Sequence, residues 1–250
     1  MNEKVKNIDI TIDTDEIEKF SSLANGWWDS EGDFRPLHQI NPIRLEFIRD
    51  HLCKHFTLDP HQHPSLRGLS ILDVGCGGGL ISEPLTRMGA SVTGIDAAEK
   101  NIAVARSHAE AAMLNITYHP LSIEHLSKKN LAFDVVIALE VIEHVVNLDK
   151  FIENCVKLTK EEGCLIFATL NRTAKAFALA ILGAEYLLRW LPRGTHRWAK
   201  FVKPSELGNS LSKTGARVTD IAGLTYNLFN TEWLVSKDVS VNYMVVAKRS

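Results

Sequence analysis

This sequence predicts an α/β fold, a mainly parallel sheet with helices packed on both faces. Three observations point there. Short apolar strands alternate with helical patterns through the middle of the chain, a glycine-rich loop joins the first of those strands to the next helix, and the strands are apolar almost throughout. Alternating strands and helices imply right-handed crossovers between parallel neighbours. Continuously apolar strands belong to sheets covered on both faces.

The elements follow in order. Ser70–Val74 is the first strand, and residues 80–88 read as a helix with Pro84 near its start, where the missing N–H is tolerated. Ser91–Ile95 is the second strand, residues 98–114 a longer helix, and residues 116–119 the third strand. The fourth strand, Phe133–Leu139, is rich in Val and Ile. Residues 148–159 are amphipathic, with Leu148, Phe151, Ile152, Cys155 and Val156 on one face. Gly163 is expected to close that helix ahead of a fifth strand at residues 164–170. A last helix over Pro204–Lys213 leads to strands at residues 217–224 and 241–247.

Two segments fall outside this pattern. Residues 1–65 form an N-terminal helical extension placed to cover the active site, and residues 66–250 form the main α/β unit. The extension carries a helix from about residue 14 to residue 28, with Asp13 and Glu16 as its capping box and Ile17, Phe20, Leu23, Trp27 and Trp28 at helical spacing. Residues 172–203 are an insertion after the fifth strand.

Composition narrows the function classes. Twenty-eight basic and thirty acidic side chains give a net charge of -2, which argues against nucleic acid as a partner. The longest apolar run, residues 176–184, is far short of the about twenty residues a membrane span needs. Cys53, Cys76, Cys155 and Cys164 show no metal-ligand spacing and fit a reducing compartment, and the first residues carry no apolar leader, so a cytoplasmic location is expected.

The chemistry concentrates in Leu72-Asp73-Val74-Gly75-Cys76-Gly77-Gly78-Gly79-Leu80. Glycines there admit positive φ and let a ligand approach the backbone. The spacing is G-x-G-x-G, with Leu80 where a dinucleotide fingerprint needs its third glycine. Asp73 would repel a pyrophosphate and suits a cationic ligand with an amino group. Asp96 ends the second strand, where a carboxylate can accept hydrogen bonds from ribose hydroxyls. A nucleoside bearing a sulfonium and an amino-acid tail satisfies these pieces.

Those motifs resemble the class I S-adenosylmethionine-dependent methyltransferases. That likeness implies a Rossmann-like, seven-stranded sheet with an antiparallel last strand, and S-adenosylmethionine as methyl donor. Further segments, among them Trp27-Trp28-Asp29, Thr169-Leu170-Asn171-Arg172, Pro192-Arg193-Gly194-Thr195-His196 and Val241-Asn242-Tyr243-Met244, resemble the ubiquinone-biosynthesis O-methyltransferases nearly end to end. The resemblance implies O-methylation of prenylated phenol and quinol intermediates, 2-polyprenyl-6-hydroxyphenol and 3-demethylubiquinol, and contact with other ubiquinone-pathway enzymes. It implies donor contacts at Arg44, Gly75, Asp96 and Leu139, to which the glycine loop adds Asp73 and Gly77. By itself Arg44 reads as an ordinary charge on a helix surface.

Glu140, Glu143 and His144 lie at i, i+3 and i+4 and are expected to converge on one site. His144 is the candidate general base, since an imidazole titrates near ~6.5 and suits proton removal at neutral pH. Two carboxylates and an imidazole also make a site for a hard divalent metal, with Mg²⁺ favoured by the oxygen ligands, and the resemblance supports such a metal in some members. The insertion carries seven basic side chains against Glu185, interleaved with Phe, Leu, Tyr and Trp. It reads either as an interfacial helix on anionic lipid at the inner face of the cell membrane or as a buried helix with solvated charges.

Overall fold

The computed structural model describes residue 11 and residues 14–178, 198–227, 230 and 232–250. Among these residues lie eight strands: β1 (Ser70–Val74), β2 (Ser91–Ile95), β3 (Thr117–His119), β4 (Phe133–Leu139), β5 (Thr159–Leu170), β6 (Ala216–Asn227), β7 (Glu232–Ser236) and β8 (Asn242–Arg249). They form one sheet in the order β3-β2-β1-β4-β5-β8-β6-β7. The first five pair in parallel, whereas β8 runs antiparallel between β5 and β6. The seven expected strands are all present. An eighth, β7, pairs antiparallel with β6 at the edge, where Trp233 beside Tyr226 continues the sheet.

The helices are α1 (Thr14–Leu23), α2 (Arg35–Phe56), α3 (Ser82–Arg87), α4 (Glu99–Ala111), α5 (Ile123–Leu126), α6 (Leu148–Lys157), α7 (Ala174–Ala176) and α8 (Pro204–Lys213). Strand residues alternate between two cores. Val135, Ile137 and Ile166 meet Ile48 and Leu52 of α2 and Leu85 of α3. Val136, Leu165 and Phe167 meet Phe151 and Ile152 of α6 and Leu207 and Leu211 of α8. Both faces are therefore dry, which is why these strands carry no polar alternation. Helix α2 sits within the first of these cores, so the N-terminal region supplies part of the sheet's covering.

Two local expectations are corrected. Gly163 does not close α6, which already ends at Lys157 with the Leu158 N–H bonded to the Asn154 carbonyl. Instead β5 begins at Thr159, and Gly163 lies within it after Glu162, whose φ of 61° is left-handed. A Cβ at Gly163 would stand 2.8 Å from the carbonyl oxygens of Asp134 and Lys160, so glycine is needed where the β4–β5 register shifts. The N-terminal helix ends at Leu23 and passes through a single 3₁₀ turn, which carries Trp27 and Trp28 off the helix. Glu16 uses its carboxylate on His144 and Lys200, while Asp13, the other half of the expected capping box, lies outside the described residues.

The insertion begins at α7, capped by the Thr173 hydroxyl. Its centre, residues 179–197, lies outside the described residues. On its far side the chain rejoins the sheet at Val202, whose N–H donates to the Leu170 carbonyl at 3.3 Å. The fully buried Tyr243 hydroxyl donates to the Val202 carbonyl at 2.9 Å. Among the described residues no helix is long and apolar enough to cross a membrane. Tyr243→Phe leaves the Val202 carbonyl unpaired in the core, and is expected to lower unfolding free energy by about 1–2 kcal/mol in urea titrations.

Candidate active site

Because the chain moves outward from β1 to β2 and β3 and then returns to β4, the sheet reverses its order between β1 and β4. Ligands of open α/β sheets bind at the carboxyl ends of strands beside such a switch. A cavity of about 740 Å³ lies there, lined by residues from the ends of β1, β2 and β4 and, on the N-terminal side, by α1, Trp27 and α2. The structure thus brings together Arg44, Asp73, Gly75, Asp96, Leu139, Glu140, Glu143 and His144 along one cavity.

Gly75 and Gly77 hold φ of 69° and 53°, the left-handed region that the loop needs. A Cβ at Gly77 or Gly78 would overlap the Trp27 ring, which lies over the loop. Trp27 stacks on Phe34 at 3.8 Å and donates from Nε1 to Asn101 Oδ1 at 2.9 Å. Asp96 faces the same loop. Its Oδ2 accepts from the Gly77 N–H at 3.0 Å and its Oδ1 from the Ala98 N–H at 2.8 Å. Asp73 is buried, and its Oδ2 accepts from the Ser82 hydroxyl at 2.6 Å. Burial pushes the Asp73 carboxyl up to about 6, with the Ser82 hydrogen bond opposing that rise and the nearby Asp96 adding to it.

Arg44 is buried on α2, paired with Glu140, rather than displayed as a surface charge. Its Nε is buried without a hydrogen-bond partner among the described residues, an unfilled demand that a ligand carboxylate in this cavity would meet. Glu140 follows β4 with a φ of 56°, a strained geometry for a non-glycine residue and one that recurs at functional sites. The Glu143 side chain is buried and accepts from the Thr169 hydroxyl at 2.7 Å. Burial, reinforced by Glu140, pushes the Glu143 carboxyl well above the usual carboxylate range. His144 Nδ1 lies 3.2 Å from Glu16 Oε2 on α1. The adjoining His144 imidazole holds the Glu16 carboxyl down to about 2 against the opposing effect of burial.

The expected convergence of Glu140, Glu143 and His144 is partial: the two carboxylates adjoin, and the imidazole is turned toward Glu16. The left-handed Glu140 breaks the helical spacing before the 3₁₀ turn Ile142–His144. Glu140 pairs with Arg44 while also adjoining the Glu143 carboxyl, Glu143 accepts from Thr169, and the imidazole faces Glu16. Among the described residues no three such side chains stand close enough to hold an ion. Sequence reasoning also missed Glu16 beside His144, Asn101 beneath Trp27 and Ser82 on Asp73. Glu16 was legible only as a helix cap, and the pairs Trp27–Asn101 and Ser82–Asp73 span positions with no local signal.

Residues 72–167 match a protein family described as a methyltransferase domain. The chain is 50% identical over 239 residues to a ubiquinone biosynthesis O-methyltransferase of Sinorhizobium fredii, covering 96% of each protein. It is 51% identical over 239 residues to a protein of the same name from Bartonella quintana, covering 96% of this chain and 97% of that one. Among solved structures, magnesium protoporphyrin IX methyltransferase from Synechocystis PCC 6803 with bound SAH superimposes with a TM-score of 0.66 at 21% identity. That alignment covers 95% of this chain and 99% of the other, and shows the shared fold.

The raised Asp73 carboxyl would give the binding of an ammonium-bearing ligand a pH dependence of defined sign. A ligand that presents an ammonium group to Asp73 binds the ionised form and lowers its pKa in the complex. Affinity for S-adenosylmethionine is therefore expected to fall below pH about 6, approaching tenfold per pH unit at most, and to fall again above about 8, where the ligand's own ammonium loses its proton. Calorimetric titration across that range should show this fall, and Asp73→Asn should bind more weakly with the dependence flattened.

Proposed function

The chain belongs to the ubiquinone biosynthesis O-methyltransferases, and from that premise we propose that it transfers a methyl group from S-adenosylmethionine to a ring hydroxyl of 2-polyprenyl-6-hydroxyphenol and of 3-demethylubiquinol. One observation carries this reading. A single cavity is lined both by the acids and arginine suited to the donor and by the imidazole of His144.

When bound, the donor supplies a methyl group made electrophilic by its sulfonium. Asp96 accepts from the ribose hydroxyls, and Leu139 at the end of β4 gives the adenine an apolar wall. Asp73 accepts from the ammonium of the amino-acid tail. Arg44 pairs with the tail's carboxylate, exchanging Glu140 for it and satisfying the buried Nε. The apolar lining excludes water and holds the acceptor hydroxyl in line with the methyl carbon. His144 takes the phenolic proton as the new O–C bond forms and the C–S bond breaks, which is needed because a phenol has a pKa of about 10. No step requires a covalent protein intermediate or runs through a metal.

The N-terminal 65 residues serve in this reading as the cover of the donor site, supported by α1, Trp27 and Arg44 at the cavity. The protein acts in the cytoplasm, at the inner face of the cell membrane. Residues 172–203, with a net +6 charge and interleaved aromatic and aliphatic side chains, meet anionic headgroups there and bring the site to a bilayer-held substrate.

His144→Ala is expected to lower kcat about a hundredfold or more on a prenylated catechol while leaving donor affinity unchanged. Turnover at the wild-type rate would remove the base. In co-sedimentation the protein should prefer vesicles containing anionic lipid and release as salt rises. A folded variant lacking residues 173–200 that sediments equally well would remove the membrane reading.

A further inference from the structure

We propose that Glu16 is a positioning residue for His144: its carboxylate, 3.2 Å from Nδ1, fixes the imidazole tautomer and ring direction so that Nε2 is left to receive the substrate proton. This deepens, and rests on, the reading of His144 as the base. The pairing comes from opposite ends of the site. Glu16 lies on α1 and His144 on the turn after β4, and both line the cavity.

Several contacts make the pairing specific. Glu16 Oε2 and His144 Nδ1 are both buried and face one another as an ion pair outside regular hydrogen-bond geometry, and no other described residue bonds to either atom. The other carboxylate oxygen is held by Lys200 Nζ at 3.3 Å, which keeps the carboxylate charged and its second oxygen directed elsewhere. Phe20, one turn along α1, packs edge-on against the imidazole at 5.1 Å and 87°, setting the ring plane. Ahead of α1 the chain is tied to the same turn. The buried Thr11 accepts at its carbonyl from the Val146 N–H at 2.7 Å, and its own N–H donates to the Glu124 carboxylate at 3.0 Å. Helix α1 is thereby fastened two residues beyond His144.

The chemistry follows from donor and acceptor roles. An ionised carboxylate only accepts, so the nitrogen facing it must carry the hydrogen. A neutral imidazole has one N–H, so the lone pair stands on Nε2. In methyl transfer that lone pair receives the phenolic proton, and the imidazolium formed is stabilised by the neighbouring carboxylate. A glutamine at position 16 keeps the size but can offer Nδ1 an N–H instead, which forces the hydrogen onto Nε2 and blocks the base.

The full-length protein serves for the test. Glu16→Gln is expected to lower kcat at least about tenfold while KM for S-adenosylmethionine stays within about twofold, with Glu16→Asp recovering part of the loss. Nitrogen-15 spectra of neutral His144 in the wild-type protein should show hydrogen on Nδ1, and Glu16→Gln should lose that signature. Wild-type turnover in Glu16→Gln with a crippled His144→Ala would overturn the positioning role and leave the base standing. Wild-type turnover in His144→Ala would overturn both. A wild-type spectrum with hydrogen on Nε2 would overturn the proposal without any variant having to fold.

Discussion

Covering both faces of the sheet is the constraint on which everything else in this molecule depends. With α2 and α3 on one side and α6 and α8 on the other, a polar side chain within the strands would meet no water. Function is left to the strand ends, where loops emerge and backbone groups are unpaired. The reversal of strand order between β1 and β4 opens a gap there, and the glycine loop, Asp96 and the Glu140–His144 turn all border it.

The site at that gap is built from charges that sit badly in its surroundings. Asp73 and Glu143 are buried with their carboxyls pushed up, and Arg44 is buried with one nitrogen unsatisfied. Such an arrangement suits a zwitterionic, cationic ligand, whose own groups would complete the pairs. Within the site the Gly77 N–H bonds to Asp96, Glu140 pairs with Arg44, and Trp27 lies on the loop.

Legibility in the sequence followed the range of each interaction. The glycine loop and Asp96 were readable because backbone conformation and strand ends are local matters. Residues 140, 143 and 144 were readable as a cluster but not as a geometry. Helical spacing places them on one face, whereas the left-handed Glu140 and the 3₁₀ turn leave the two carboxylates adjoining and turn the imidazole to Glu16. Gly163 carried a helix-stop signal that packing against Asp134 and Lys160 put to another use. Local sequence alone reads Arg44 as a surface charge, whereas the place of α2 in the sheet's core buries it.

The sequence by itself determined the α/β class, seven of the eight strands and the glycine loop after the first, because period, apolar runs and glycine spacing act over a few residues. Only the tertiary structure decided what faces the base. Glu16 and His144 are 128 positions apart, and nothing local in either segment signals the other. Their meeting depends on α1 being fastened to the turn after β4, a long-range contact that exists only once the sheet has formed and its ends have been covered.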